Sequence, residues 1–421
     1  MERDRKKRSK AWLIILCLVG TLAITGLIFT HFGGFGTGES ASPEALGAYG
    51  GTVKDIVIPE EAAIVALGEA THGNREFQQL KLDVFRHLVE HYGVRAFALE
   101  GDYGGCEQVD RYIHGGEGTP QEAAAAIGFA IYRTEEMAAL ISYMRAYNQR
   151  AEPGDDLRFY GFDMQRCGYN IRFLAEACRQ AGVDPAPLEG LAEGENWSNA
   201  LDTAERIAVI TQVKADLISK NGSEKALHLA DILLQNCALQ EGGGGNSGDY
   251  SMRRDRFMAE NTLWIARQER EAGRQRIFVA AHNGHVAKWA SYDQMGKLLA
   301  DELGEGYYVI GTDFYKTRCN MPSGRSGRRT NQVFYSHDPL AKAAKLAGLD
   351  VCWLDFGKAS QSPELAAFLS DHHYMGSLGE GYSLLMRLLP PSYRIFQPPA
   401  GLYDGMIFVA NATPTRIIGG E

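Results

Sequence analysis

Hydrophobic and polar positions divide this chain into two kinds of segment. Short apolar runs that end at glycine or a polar residue are typical of buried strands, and they occupy residues 62–67, 95–99, 157–160, 276–280, 307–310, 351–354 and 406–409. Between them, apolar residues recur with the helical period over residues 74–91, 134–150, 172–180, 201–220, 224–240 and 253–268. Strands that alternate with helices predict an α/β fold, a central sheet with parallel β-α-β units flanked by helices. A helical insertion is expected at about residues 180–270.

The amino-terminal residues predict a membrane anchor. Residues 11–30 carry no charge, and a helix of this length matches the hydrocarbon core of a bilayer, which is about 30 Å thick. Six basic residues precede the run, so the amino end is expected in the cytoplasm and the catalytic domain outside it. They are Arg3, Arg5, Lys6, Lys7, Arg8 and Lys10. The alternative is a cleaved signal peptide and a secreted protein.

Composition sets the domain organisation and excludes one class of partner. Residues 1–31 are expected to form a cytoplasmic basic segment with the transmembrane helix, residues 32–52 a Gly/Ser/Ala-rich linker, and residues 53–421 one folded domain. The net charge of −9 and the lack of a basic stripe exclude nucleic acid as a partner. The seven cysteines form no CxxC pair, so disulfides are possible but not required.

Four of the apolar runs lead directly into polar motifs. These motifs are Gly68-Glu69-Ala70-Thr71-His72, Glu100-Gly101-Asp102, Gly161-Phe162-Asp163 and His282-Asn283-Gly284-His285. In open α/β sheets, ligands bind outside the carboxyl ends of the strands. If the strands are parallel, all four motifs face one edge of the sheet. A lone histidine at such a place is more often a packing residue, but the joint placement favours a histidine-centred active site.

The same motifs resemble a known family. The segments LGEATHGNREFQQLK, FALEGD, YGFDMQ, RDRFMAEN and AHNGHVAK, in this order, are similar to those of the erythromycin esterase family, and the resemblance runs from about residue 55 to residue 415. It implies a hydrolase domain that cleaves an ester or lactone, with macrolides and antibiotic resistance as one possibility. By position in the family motifs, the implied catalytic residues are His72 as general base, Glu69, Lys81, Glu100, His282 and His285.

The chemistry of these residues suits hydrolysis by water. A neutral imidazole accepts a proton near neutral pH, and a carboxylate such as Glu69 or Glu100 fixes its tautomer. Lys81 lies about two turns into the helix after His72 and is expected to stabilise the oxyanion, although it could also be a solvated helix lysine. The chain has no GxSxG motif, so direct attack by His72-activated water, without a covalent intermediate, is favoured.

Two alternatives stay open. The same histidines and glutamates are good ligands for zinc or manganese, which would make the protein a metal-dependent extracytoplasmic hydrolase. The resemblance implies no required metal, so no cofactor is predicted. The other alternative is a non-catalytic accessory protein of cell-surface polysaccharide (succinoglycan-like) biosynthesis. The expected partners are a small-molecule ester or lactone and, through the amino-terminal helix, a membrane. Tyr132 stands where the family often has tryptophan, which leaves the fit of a bulky substrate open.

Overall fold

The computed structural model describes residues 2–31, 40–240, 248–324, 326–387 and 392–419. The helices are α1 Glu2–His31, α2 Pro43–Tyr49, α3 Arg75–Tyr92, α4 Tyr103–Ile113, α5 Pro120–Ala126, α6 Glu135–Asn148, α7 Gly168–Ala181, α8 Thr203–Ser219, α9 Glu224–Gln240, α10 Gly248–Glu271, α11 Asn283–Val286, α12 Met295–Leu303, α13 Pro339–Leu346, α14 Phe356–Ala359 and α15 Pro363–Ser370. The strands are β1 Gly50–Gly51, β2 Ile64–Glu69, β3 Ala96–Asp102, β4 Arg158–Asp163, β5 Ala192–Glu193, β6 Asn196–Trp197, β7 Ile277–His282, β8 Tyr307–Pro322, β9 Arg329–Tyr335, β10 Val351–Asp355, β11 His373–Gly376, β12 Arg394–Gln397 and β13 Gly405–Ala412.

A mixed, mostly parallel sheet forms the centre of the fold. Its strand order is β1-β10-β13-β8-β2-β7-β3-β4, with β9 paired to β8. The strands from β13 to β4 in this order all run parallel to their neighbours, whereas β1, β9 and β10 pair in the antiparallel sense. The α/β fold with a central, mostly parallel sheet agrees with the prediction.

Both faces of the sheet are covered, and the strand sequences show why. Along β2, Ile64 and Ala66 face one hydrophobic cluster, while Val65 and Leu67 face the other. A strand buried on both sides has apolar residues without alternation, as these runs do. Helices α7, α8, α9 and α10 contribute to the first cluster, and α3, α4 and α6 to the second. The sheet is thereby held rigid on both sides, with its ends free to carry a site.

The amino-terminal helix corrects one prediction. Within the residues that the structure describes, no helix has both the length and the apolarity needed to cross a bilayer. The predicted transmembrane helix is therefore wrong, and so is the membrane-anchored, extracytoplasmic localisation that was inferred from it.

Part of the predicted linker is folded against the domain. Residues 32–39 lie outside the described residues. Beyond them, helix α2 buries Leu46, and β1 pairs with β10 through Gly50 and Leu354. The backbone N–H of Ser42 also donates to Glu364 Oε1 at 2.5 Å. The described residues 42–51 of the predicted linker thus pack on the sheet domain, and Gly/Ser/Ala composition alone did not indicate this.

Candidate active site

The four polar motifs meet at one edge of the sheet. Strands β2, β7, β3 and β4 are consecutive parallel neighbours, so their carboxyl ends lie side by side. Glu69, the last residue of β2, is in register with His282, the last residue of β7. Glu100 lies near the end of β3, and Asp163 ends β4. The carboxyl edge of the sheet therefore gathers groups that are separated by more than 200 residues along the chain.

A first network links Glu69 at the end of β2, His72 in the turn that follows, and Lys81 on α3. His72 Nδ1 lies 2.7 Å from Glu69 Oε1, and Lys81 donates from Nζ to Glu69 Oε2 at 2.5 Å. Burial would raise the pKa of Glu69, but the charges of Lys81 and His72 lower it to about 2. Glu69 is therefore ionised, and His72 donates its Nδ1 proton to it. Gln78 on α3 adds a weaker contact of 3.4 Å from Nε2 to Glu69 Oε2.

The ionised carboxylate controls the protonation of His72. Burial would lower the pKa of His72, but its hydrogen bond with Glu69 and the charges of Glu69 and Glu100 raise it above the ordinary value of 6.5. With Nδ1 committed to Glu69, the lone pair of the neutral ring is on Nε2. His72 thus presents Nε2 as a proton acceptor, and its charged form is stabilised.

A second network holds His285 between acidic groups. His285 Nδ1 lies 2.6 Å from Asp255 Oδ1, and His285 Nε2 lies 3.3 Å from Glu100 Oε1. Burial would lower the pKa of His285, but the charges of Glu100 and Asp255 raise it to about 10. His285 is therefore protonated at neutral pH and cannot act there as a base. In its protonated form, both ring nitrogens carry hydrogens that face Asp255 and Glu100.

Arg254 on α10 joins this second network to β4. Its guanidinium donates from Nη2 to Glu100 Oε1 at 2.8 Å, and from Nε and Nη2 to Asp163 Oδ2 at 3.0 and 2.5 Å. Burial would raise the pKa of Glu100, but His285 and Arg254 hold it well below its usual range. Both Glu100 and Asp163 are buried, so Arg254 supplies the charge that allows two carboxylates to lie in the interior.

His282 differs from the other two histidines because its ring stays neutral. Burial and the charges of His72 and His285 lower the pKa of His282 to about 3. The backbone N–H of Gly284 donates to His282 Nδ1 at 3.1 Å, so the proton of the neutral ring is on Nε2. His282 Nε2 is buried and has no hydrogen-bond partner within the described residues. The ring centroids of His282 and His72 are 5.0 Å apart, so this N–H donor lies beside the base.

The structure brings all six predicted residues together and adds neighbours that were not among the predicted catalytic residues. Lys81 is buried rather than solvated, with a relative exposure of 1%. The added residues are Gln78, Tyr132, Asp163, Arg254, Asp255 and Glu380. Segment RDRFMAEN contains Arg254 and Asp255, but only its family resemblance, and no local pattern, could have marked them.

Tyr132 and Glu380 both lie near the first network. Lys81 Nζ is 5.6 Å from the ring centroid of Tyr132, whose hydroxyl is buried without a hydrogen-bond partner among the described residues. Glu380 forms an ion pair with Arg329, and its charge contributes to the raised pKa of His72. The segment with Glu380 is tied to the site because the N–H of Leu378 donates to the carbonyl oxygen of Ala70 at 2.8 Å.

The histidine and carboxylate groups of the site are of the kinds that bind metal ions. Among the described residues, no three His, Cys, Asp or Glu side chains are arranged to hold one. His72 and His285 each use Nδ1 for a carboxylate, which leaves one ring nitrogen on each. That catalysis needs no metal stays a prediction.

An α/β domain with histidine–carboxylate pairs at the carboxyl edge of its parallel strands has the groups that acid–base catalysis requires. The sequence model of the family described as erythromycin esterase matches residues 89–412, which is more than half of the chain. The chain therefore belongs to the erythromycin esterase family, and the predicted resemblance is confirmed.

Individual relatives support the same assignment. The chain is 26% identical to erythromycin esterase type II of Escherichia coli over 300 residues, which are 61% of this chain and 70% of that protein. It is 26% identical to the putative hydrolase YbfO of Bacillus subtilis (strain 168) over 402 residues, 84% of this chain and 85% of that protein. A Bacillus cereus crystal structure, at 21% identity, covers 89% of this chain and 98% of its own with a TM-score of 0.74, so it has the same fold.

Proposed function

We propose that this family member hydrolyses a carboxylic ester or lactone by direct attack of a water molecule that His72 deprotonates. The observation that carries the proposal is the hydrogen bond between His72 Nδ1 and the ionised carboxylate of Glu69. This bond fixes the tautomer, leaves Nε2 as the proton acceptor, and stabilises the imidazolium that forms in the transition state. Family membership and the name of the Escherichia coli relative support an ester as the substrate.

The three histidines have different electrostatic roles in this proposal. His72 takes the proton from water and later delivers it to the leaving oxygen. His282 stays neutral and presents an N–H donor, and His285 stays protonated and presents a cation. Because the environments of the three rings separate their pKa values, one site contains a base and two donors at the same pH.

Direct attack by water is favoured over a covalent intermediate. The sequence has no GxSxG motif. Cys106, which follows β3, is buried, and burial with the charges of Asp102 and Asp163 raises the pKa of its thiol well above the usual value. A thiol in this state is a poor nucleophile because the thiolate is the reactive form. Water activated by His72 thus remains the better nucleophile.

The experiment incubates the full chain with macrolide lactones and with simple aryl esters. Mass spectrometry then detects products in which one water has been added to the substrate. We expect turnover in the wild type, and a loss of roughly 10²- to 10⁴-fold in His72→Ala. His91→Ala is the matched control, because His91 is an exposed histidine on α3. Intact-protein mass during turnover should show no acyl adduct. Wild-type rates in His72→Ala, or an acyl-protein, would contradict the mechanism, and no turnover on any ester would contradict the substrate class.

A further inference from the structure

We propose that Arg254 is a catalytic residue that, with His285, binds the oxyanion of the tetrahedral intermediate, and that Lys81 is a positioning residue. This inference rests on the proposed ester hydrolysis. Nothing in the motif spacing suggested Arg254, because it comes from α10, far along the chain from β2 and β3. The assignment depends on which cations of the site face the space where a substrate can enter.

Exposure separates the cations of the site. The side chains of Arg254 and His285 have relative exposures of 16% and 20%, whereas that of Lys81 has 1%. Lys81 Nζ is also committed to Glu69 at 2.5 Å and lies against the Tyr132 ring. An oxyanion needs a donor that it can reach at about 2.7–3.1 Å. Arg254 and His285 are accessible to it, and Lys81 is enclosed by the protein.

The contacts of Arg254 leave one part of the guanidinium available. Nε and Nη2 are anchored by Asp163 and Glu100, while Nη1 lies 3.3 Å from His285 Nε2. When His285 is protonated, Arg254 Nη1 and His285 Nε2 both carry hydrogens and neither can accept one. The two groups therefore do not hydrogen-bond to each other. His285 Nε2 has one acceptor nearby, Glu100 Oε1 at 3.3 Å. Two cationic donors held side by side by carboxylates form a preorganised anion site.

The proposed step balances as ordinary ester hydrolysis. The water oxygen attacks the carbonyl carbon, and His72 Nε2 takes a water proton. The carbonyl π electrons move to oxygen, and the resulting oxyanion accepts hydrogen bonds from Arg254 Nη1 and His285 Nε2. As the carbonyl re-forms, the C–O bond to the leaving oxygen breaks, and that oxygen takes the proton from His72. An acid and an alcohol are produced.

Lys81 acts through Glu69 in this scheme. Its charge is the main reason that the pKa of Glu69 stays low against burial, and ionised Glu69 orients His72. Loss of Lys81 therefore alters the base, and loss of Arg254 alters the stabilisation of the oxyanion. The two roles predict different kinetic changes.

The test compares Arg254→Lys and Arg254→Gln with Lys81→Met, on an ester that the wild type hydrolyses. We expect Arg254→Gln to lower kcat by about a hundredfold or more with KM much less changed, and Arg254→Lys to recover part of the rate. The pH at which activity rises should stay where it is in both Arg254 variants and move in Lys81→Met. Arg253→Gln is the matched control, because Arg253 is the neighbouring arginine and contacts only the carbonyl oxygens of Asp249 and Ala238 within the described residues.

Three further experiments distinguish a loss of catalysis from a loss of folding. Arg254→Gln leaves the carboxylates of Asp163 and Glu100 unpaired, so its melting temperature is measured, and the double variant Arg254→Gln/Asp163→Asn provides a form with one carboxylate fewer. In Arg254→Ala, added guanidinium ion should restore part of kcat. The assignment would be overturned if folded Arg254→Gln kept the wild-type kcat. It would also be overturned if kcat fell in the double variant and in Arg254→Ala and added guanidinium did not restore it. The wild type and His72→Ala report separately on the proposed hydrolysis.

Discussion

His72 and His285 both contact carboxylates, and together they set the pH range in which the proposed site can act. His72 must be neutral to accept a proton, and its pKa is raised above 6.5 by Glu69 and Glu100. His285 must be protonated to act as a cation, and Glu100 with Asp255 raises its pKa to about 10. The working range therefore lies between these two values.

A bell-shaped pH profile is the expected result. As pH rises through the pKa of His72, the base form appears and kcat/KM increases. As pH approaches about 10, His285 loses its proton and kcat/KM decreases. Measurement of kcat/KM across this range on one ester checks both limbs. His285→Gln should weaken the alkaline limb. If kcat/KM already reached half of its maximum at a pH below the ordinary pKa of histidine, the role of Glu69 as partner of His72 would be contradicted.

Lys81→Met tests the buried ion pair with Glu69. The methionine keeps most of the volume but leaves Glu69 buried without its strongest positive neighbour, so the pKa of Glu69 should rise and stability should fall by about 3–5 kcal/mol, as for other broken buried pairs. We expect kcat/KM to fall by roughly 10²-fold because His72 is less well oriented. Thermal unfolding and kinetics are measured together.

Lys81→Arg is the control for this change because it keeps the charge, and it should retain part of both stability and activity. If Lys81→Met were as stable as the wild type, the pairing with Glu69 would contribute nothing, and the low pKa of Glu69 would need another cause.

At the residue scale, the sequence indicated the site residues but not their partners. Glu69 and His72 could be predicted because they follow an apolar run in one short motif. The contact between Lys81 and Glu69 depends on the angle at which α3 leaves the sheet, and no spacing rule gives that angle. Arg254 reaches the site from a helix whose local pattern only shows that it is helical.

At the scale of elements, the carboxyl-terminal segment, residues 413–419, holds two site loops. The N–H of Arg75 donates to the carbonyl oxygen of Thr413 at 2.9 Å, and the N–H of Thr415 donates to that of Gly73 at 3.1 Å. Farther on, the N–H of Glu135 donates to the carbonyl oxygen of Arg416 at 2.9 Å. The segment thus links the turn that contains His72 to the start of α6, next to Tyr132.

Deletion of residues 413–421 should therefore lower activity without removing any catalytic group. Several backbone hydrogen bonds are lost, at about 0.5–1.5 kcal/mol each, and a displacement of His72 by about 1 Å can reduce kcat by roughly 10²-fold. Circular dichroism melting and kcat are measured for this variant. The control ends at Gly419 and should behave as the wild type. Full activity in the shorter variant would show that the β2–α3 turn keeps its shape unaided.

The approximate positions of strands and helices could be predicted where the apolar period was clear. The residues at which they begin and end could not be predicted. The run at residues 62–67 became β2, Ile64–Glu69, because Glu69 continues the parallel pairing with His282. Gly68 was expected to end the strand, but the pairing continues through it to Glu69, whose charge Lys81 and His72 compensate in the interior. The pairs β11–β12 and β5–β6 had no signal in the sequence, since strands of two to four residues are too short for a period.

At the scale of the whole molecule, the site depends on contacts between distant parts of the chain. β2 lies between β7 and β8; the turn after β2 supplies His72, the end of β7 supplies His282, and α11 supplies His285. Such pairings close large loops, and proteins dominated by them fold slowly. The order of the strands in the sheet could not be predicted, because apolar runs of similar composition do not specify their neighbours.

The position of β13 has a consequence for how the protein matures. This strand, Gly405–Ala412, is among the last parts of the chain, and it lies inside the sheet between β10 and β8. All the other described strands precede β13 in the chain, so during synthesis the sheet has an unfilled gap between β10 and β8 until β13 is made. Exposed strand edges of this kind attract other chains. The chain is therefore prone to associate with other chains until β13 is in place, and a chaperone that covers the gap would act in that interval.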